Sequence, residues 1–87
     1  MRSQPRLVTV TWDSEARVLV AESDDIPGLI TEAESREELL KKLTVMVPEL
    51  LQLNPDPRDP AKGFYDFREP IHLLIRFEEY LTIPAAA

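Results

Sequence analysis

The residues best suited to chemistry in this chain are carboxylates. Asp24 and Asp25 stand side by side just before Ile26-Pro27-Gly28-Leu29, with Asp13 upstream and Glu37-Glu38 downstream. A two-metal hydrolytic site needs several such groups converging on divalent ions about 3.5–4 Å apart. The element order argued below sets Asp13 at the opposite end of a sheet from the helix start that carries Glu38. The last strand has Glu69 before it and Glu78 and Glu79 late, with none at its centre. No converging set is expected, so the reading holds no metal and no cofactor. His72 is the single histidine and cysteine is absent, which leaves no ligand cluster of the zinc type. Ser14, Ser23 and Ser35 fall in turn or cap positions without a His-Asp pair to activate them. Gly28 and Gly63 are the only glycines, too few for a loop that cradles phosphate. The chain reads as non-catalytic. The alternative is a small metal- or ligand-dependent activity built on Asp24, Asp25 and the aromatic group Phe64-Tyr65-Asp66-Phe67.

The elements that would position these residues follow from periodicity. Residues 6–13 alternate, with Val8, Val10 and Trp12 on one side and Leu7, Thr9 and Thr11 on the other, which predicts a strand with Trp12 packed under a helix. A polar turn at 13–16 leads to a second strand at about 17–23, and the two form an antiparallel hairpin. Pro27 presets φ for the second position of a β-turn, and Gly28 takes the positive φ that a type II turn needs at the third. That turn delivers a third strand at about 29–34. Ser35 then caps a helix at about 36–53, its hydroxyl facing the N–H of Glu38 and the Glu38 carboxylate reaching back in a capping box. Leu39, Leu43, Met46, Leu50 and Leu53 form an apolar stripe. Pro48 lies inside it and removes one hydrogen bond, so a kinked but continuous helix is expected.

A Pro-rich loop at 54–69 follows, whose aromatics would lid the end of the core. The last strand spans about 70–81, with Ile71, Leu73, Ile75 and Phe77 on one face, and residues 82–87 form a frayed tail. The fold class is α+β: an antiparallel β-meander with one helix across one face, in the order β-β-β-α-β. One helix cannot cover both faces, and a long last strand lies near an edge, so pairing with a second copy is expected.

Eighty-seven residues make one domain, residues 1–87. Without cysteine there is no disulfide, which fits a reducing cytoplasm. No run approaches the roughly 18 apolar residues of a membrane span, and the N-terminus lacks a signal-peptide core. The net charge of -6 disfavours direct contact with nucleic acid. Nine of the sixteen carboxylates lie between Asp13 and Glu38 against Arg17 and Arg36 alone, a local balance of -7. Such a surface attracts a basic partner. Asp24, Asp25, Glu32 and Glu34 are the candidate docking residues, whereas Pro27, Gly28, Ser35 and Glu38 are read as turn and cap.

The runs Val10-Thr11-Trp12-Asp13, Ala21-Glu22-Ser23-Asp24-Asp25-Ile26-Pro27-Gly28-Leu29 and Thr31-Glu32-Ala33-Glu34-Ser35-Arg36-Glu37-Glu38-Leu39 carry a family likeness. They resemble the N-terminal domain of HicB-like antitoxins, with its D-(I/L)-P-G turn, short strand and S/T-x-E-E helix start. The chain looks closest to the small stand-alone branch of that superfamily, a domain of unknown function, which shares Val47-Pro48-Glu49-Leu50-Leu51. The likeness covers roughly residues 7–53. It implies a partial ribonuclease H-like fold that forms a homodimer or higher homo-oligomer, and a partner in the form of a small basic toxin. Antitoxin members usually add a C-terminal ribbon-helix-helix or helix-turn-helix. This chain ends after the fourth strand, so operator binding is not expected. The function this suggests is a protein–protein interaction module that neutralises a toxin-like partner; a purely structural homo-oligomer is the other outcome.

Overall fold

The computed structural model describes residues 4–59, 61, 63–79, 81 and 83–85. Strands β1 (Arg6–Asp13), β2 (Val18–Glu22) and β3 (Ile30–Ala33) lead into helix α1 (Arg36–Leu53), and β4 (Leu73–Glu78) closes the order. The sheet runs β3-β2-β1-β4. β1, β2 and β3 form the antiparallel meander, with Val10 opposite Ala21 and Ala21 opposite Thr31. β4 joins the other side of β1 in parallel, Val8 opposite Ile75, so the whole sheet is mixed. The long crossover through α1 and the Pro-rich loop is what makes a parallel partner reachable.

Alternation on β1 sends Arg6, Val8 and Val10 to the covered face and leaves Leu7, Thr9 and Thr11 half-buried on the other. α1 answers with Leu39, Leu43, Val47 and Leu51, one buried side chain every four residues. Together with Ala21, Ile26, Leu29 and Ala33 they make the core. Burial of each large member contributes about 1.5–3 kcal/mol. α1 continues through Pro48, as its apolar stripe requires. It starts on Ser35, whose Oγ accepts from the N–H of Glu38 at 3.1 Å. The Glu38 carboxylate turns to Lys42, 3.7 Å away, one helical turn on. At the other end Asn54 adopts extended backbone and its Nδ2 donates to the Leu50 carbonyl.

Further sequence expectations change, among them the helix stripe: Val47 and Leu51 are buried with Leu39 and Leu43, whereas Leu53 is 74% exposed. Trp12 is 46% exposed and does not pack under α1, because it sits at the end of β1 where the first helical turn offers Arg36, Glu37 and Glu38; the first buried helical side chain is Leu39. Asp13 and the start of α1 share one end of the sheet, since the meander runs up, down and up again; the Asp24–Asp25 turn lies at the other end. Among the aromatics of the Pro-rich loop, Phe64 and Phe67 are exposed and only Tyr65 packs against the core. The tail expected at 82–87 falls in part on residues 82, 86 and 87, outside the described residues. No helix among the described residues is long and apolar enough to cross a membrane.

Candidate functional site

Two charged regions have distinct characters. The first centres on Arg6, at the start of β1, in phase with Val8 and Val10 and 5% exposed. A guanidinium in that position needs partners for its donors. The Pro-rich loop supplies them. Asp56 accepts two hydrogen bonds, Oδ1 from one terminal nitrogen at 2.9 Å and Oδ2 from the other at 2.7 Å. The Asp25 carbonyl accepts a third at 2.8 Å, and the Tyr65 ring lies 5.1 Å from the guanidinium carbon. The hydrogen bond from Arg6 holds the Asp56 carboxyl below its ordinary range, and Asp56 in turn raises the guanidinium against the opposing effect of burial. Burial pushes the Tyr65 hydroxyl up, helped by the negative charge of Glu69.

The loop is itself braced. The Asp56 N–H donates to the Gly63 carbonyl at 2.7 Å, and Tyr65 Oη lies 2.6 Å from the Pro70 carbonyl. The residues that break regular structure at 54–69 therefore form a clamp that ties the end of α1 to the start of β1. An open cleft of about 380 Å³ borders it, with Arg58, Phe64 and His72 on its walls. Among the described residues every buried side-chain polar atom has a hydrogen-bond partner.

The second region is the acidic stretch. Ile26-Pro27-Gly28-Leu29 closes with a hydrogen bond from the Leu29 N–H to the Ile26 carbonyl at 3.2 Å, and Gly28 has φ +76°. Asp25 is half-buried and structurally committed, since its Oδ2 accepts from the Leu7 N–H at 2.8 Å. Ser23 Oγ donates to the Leu7 carbonyl and accepts from the Asp25 N–H. These side chains replace the ladder bonds β1 loses where β2 turns away. Asp25 is thus part of the turn's anchoring and not a surface group. Asp24, Glu32 and Glu34 are exposed and follow β3, an edge strand of the sheet, from the turn towards the helix start. Their carboxylates have no ion-pair partner among the described residues. The Lys42 ammonium donates to the Glu32 carbonyl at 2.6 Å, capping one main-chain group of that edge.

The candidate chemistry elsewhere is dispersed. Asp13 Oδ1 accepts from the N–H groups of Glu15 and Ala16, which makes it a turn residue. No three His, Cys, Asp or Glu side chains group closely enough to hold a metal ion among the described residues. The sequence reading missed Arg6, Asp56 and Tyr65. One signal was available: Arg6 alternates in phase with Val8 and Val10, which places it on the covered face, where a cation requires a counter-charge.

A family described as "Domain of unknown function (DUF1902)" matches residues 6–65. The chain belongs to that family. The DUF1902 match begins on Arg6 and ends on Tyr65, so it takes in Arg6, Asp56 and Tyr65 as well as the acidic turn. Among solved structures the chain is similar to hypothetical protein TTHA1013 from the extremely thermophilic bacterium Thermus thermophilus. The two are 40% identical over 94% of this chain and 100% of that one, with a TM-score of 0.60. No curated protein matches the chain.

Proposed function

We propose that this DUF1902 chain is a non-catalytic protein–protein interaction module of the HicB-like antitoxin kind. In this reading it self-associates and docks a small basic, toxin-like protein in the cytoplasm. The observation that carries the reading is the line of exposed carboxylates Asp24, Glu32 and Glu34 along an edge strand, without cationic partners among the described residues. An edge strand presents main-chain groups for strand addition. A single-sign charge row beside it hastens the approach of a basic partner and fixes its orientation. Three other carboxylates are engaged within the fold: Asp25 on Leu7, Asp56 on Arg6, and Asp13 in its own turn.

The test is co-expression of the tagged chain with the products of its adjacent reading frames. Recovery of a short basic protein by the wild-type chain, and its loss from the Asp24→Lys/Glu32→Lys/Glu34→Lys variant, supports the reading. Recovery of no such protein, or equal recovery by the variant, removes it and leaves a purely structural homo-oligomer.

A further inference from the structure

α1 is set to one side of the sheet, with its close backbone approaches to β3 and β2. Val8 and Val10 on β1 are still buried beneath it. One strand further on, Leu73 and Ile75 are only half-buried and Phe77 is 43% exposed. The gap is an apolar groove of about 300 Å³, with Ile71, Leu73 and Ile75 on its floor and Leu40, Val47 and Pro48 of α1 on its wall. β4 is also an edge strand. The Arg6 N–H donates to the His72 carbonyl at 2.8 Å. The even-numbered residues of β4 therefore turn their main-chain groups to β1, and the odd-numbered ones turn theirs outward. Beyond β4 the odd-numbered phase of Leu73, Ile75 and Phe77 carries two more apolar residues, Leu81 and Ile83, which are 84% and 77% exposed.

We propose that the outer edge of β4 and this groove receive Leu81 and Ile83 of a second copy, the two β4 strands pairing antiparallel about a two-fold axis through Phe77. The proposal rests on the self-association part of the reading above, names its surface, and uses the edge of the sheet opposite the acidic one. Main chain, charge and apolar pattern select the same register. The outward N–H and C=O groups bond across the axis only where odd-numbered residues face odd-numbered ones. Centring the pair on Arg76 or on Glu78 would set like charges directly against each other. Centring it on Ile75 would set Arg76 against Leu74 and Leu81 against Glu69. Centred on Phe77, Arg76 comes opposite Glu78 of the second copy, and symmetry sets Glu78 opposite that copy's Arg76. Each of these charges then has the opposite sign beside it, both along its own strand and across the axis. The same register lays Leu81 of the second copy opposite Leu73 and its Ile83 opposite Ile71, on the floor of the groove. Glu79 of the second copy falls opposite Ile75, next to Phe77, and the Arg36 guanidinium carbon stands 5.4 Å from that ring's centroid. Both helices lie on one face of the continuous sheet so formed. Their offset towards β3 leaves the space that the two apolar segments fill, and strand addition satisfies the edge of β4.

Sedimentation velocity of the full chain across the micromolar range tests the proposal on the wild type, Arg76→Glu, Glu78→Arg and Leu81→Asp, with circular dichroism to verify that each is folded. The wild type is expected to dimerise. Each variant alone is expected to associate at least about tenfold more weakly, because the first two set like charges together at both symmetric contacts and the third carries a carboxylate into an apolar groove. Mixing Arg76→Glu with Glu78→Arg restores association, since every facing pair is then of opposite sign. The chain has no cysteine, so single cysteines test the register. Phe77→Cys faces its own counterpart on the axis and is expected to oxidise to a disulfide dimer. Leu73→Cys is about 26 Å along the strands from its counterpart, beyond the roughly 7 Å a disulfide spans, and is expected to stay reduced. A monomeric wild type overturns the proposal. So does a dimer indifferent to Leu81→Asp, a mixture that stays monomeric, or Leu73→Cys cross-linking as readily as Phe77→Cys. Arg76→Glu keeps Asp24, Glu32 and Glu34, so recovery of the basic partner by this variant separates failure of the dimer from failure of the acidic edge.

Discussion

Replacing Asp56 with Asn is the sharpest perturbation of the clamp, because it removes one charge and almost no volume. The carboxylate makes two charge-assisted hydrogen bonds to Arg6, at 2.9 and 2.7 Å. Hydrogen bonds to charged groups contribute about 1.5–3 kcal/mol each. Breaking a buried pair by removing one partner costs about 3–5 kcal/mol, since the other charge stays buried. The side chain of Arg6 is 6% exposed and that of Asp56 14%, so this pair lies near the buried limit. The Asp25 carbonyl, the Tyr65 ring and the remaining amide oxygen of Asn partly compensate, which places the expected loss at about 3 kcal/mol, the low end of that range. An 87-residue domain has a total of about 4–13 kcal/mol, so the loss is a large share of it. The midpoint of thermal unfolding is expected to fall by roughly 12–24 °C at about 4–8 °C per kcal/mol. Urea and thermal unfolding followed by circular dichroism measure this directly. Asp66→Asn is the control: the Asp66–Arg68 pair has equally good geometry, but its side chains are 46% and 90% exposed. It is expected to leave the unfolding midpoint essentially unchanged, because solvent screens an exposed pair. A loss below about 1 kcal/mol for Asp56→Asn, or one no larger than that of the control, refutes the claim that burial makes Arg6–Asp56 the tie between loop and sheet.

The same pair sets an acid limit. Arg6 depresses the folded-state Asp56 carboxyl below its ordinary value of 3.8, so its contribution is complete above that value and disappears as pH falls through the depressed one. Acid titration of stability is expected to show this loss in the wild type and to flatten in Asp56→Asn; parallel curves would contradict it. Gly28→Ala is expected to destabilise by about 1–2 kcal/mol through backbone strain at φ +76° alone, because the added Cβ would meet Leu50 Cδ2 at an ordinary 3.6 Å. An unchanged urea midpoint would contradict the turn assignment. Asp25→Ala strands the Leu7 N–H and is expected to cost about 1–3 kcal/mol, with faster amide exchange at Leu7. Asp24→Ala, on the exposed neighbour, is expected to stay within about 0.5 kcal/mol; equal losses would show that the two carboxylates do not play separate roles.

The β-β-β-α-β order was legible because each element announces itself locally. Period-two alternation marks β1, Pro27 and Gly28 mark the turn, and Ser35 followed by apolar residues at three- and four-residue spacing marks α1. What the sequence did not yield depends on contacts distant along the chain. The alternation of Ile71, Leu73, Ile75 and Phe77 identifies a strand and its faces but carries no information on which neighbour it pairs with or in which direction. The parallel join to β1 therefore appears only in the structure. Trp12 shares the phase of Val8 and Val10, yet coverage by α1 ends before it, and alternation is blind to where a helix stops. Arg6 and Asp56 are fifty residues apart, and each is unremarkable within its own segment. Asp24 and Asp25 are alike in sequence and opposite in environment. A one-residue shift of direction sends one carboxylate to the Leu7 N–H and the other to solvent.

The central claim is that the acidic edge holds a basic protein. The decisive measurement is recovery of the co-expressed products of the adjacent reading frames by the wild-type chain and by Asp24→Lys/Glu32→Lys/Glu34→Lys, at low and high salt. The expected result is a short basic protein retained by the wild type at low salt, weakened by salt and absent from the folded variant. Retention of nothing by the wild type, or the same protein held equally by both chains, would contradict it.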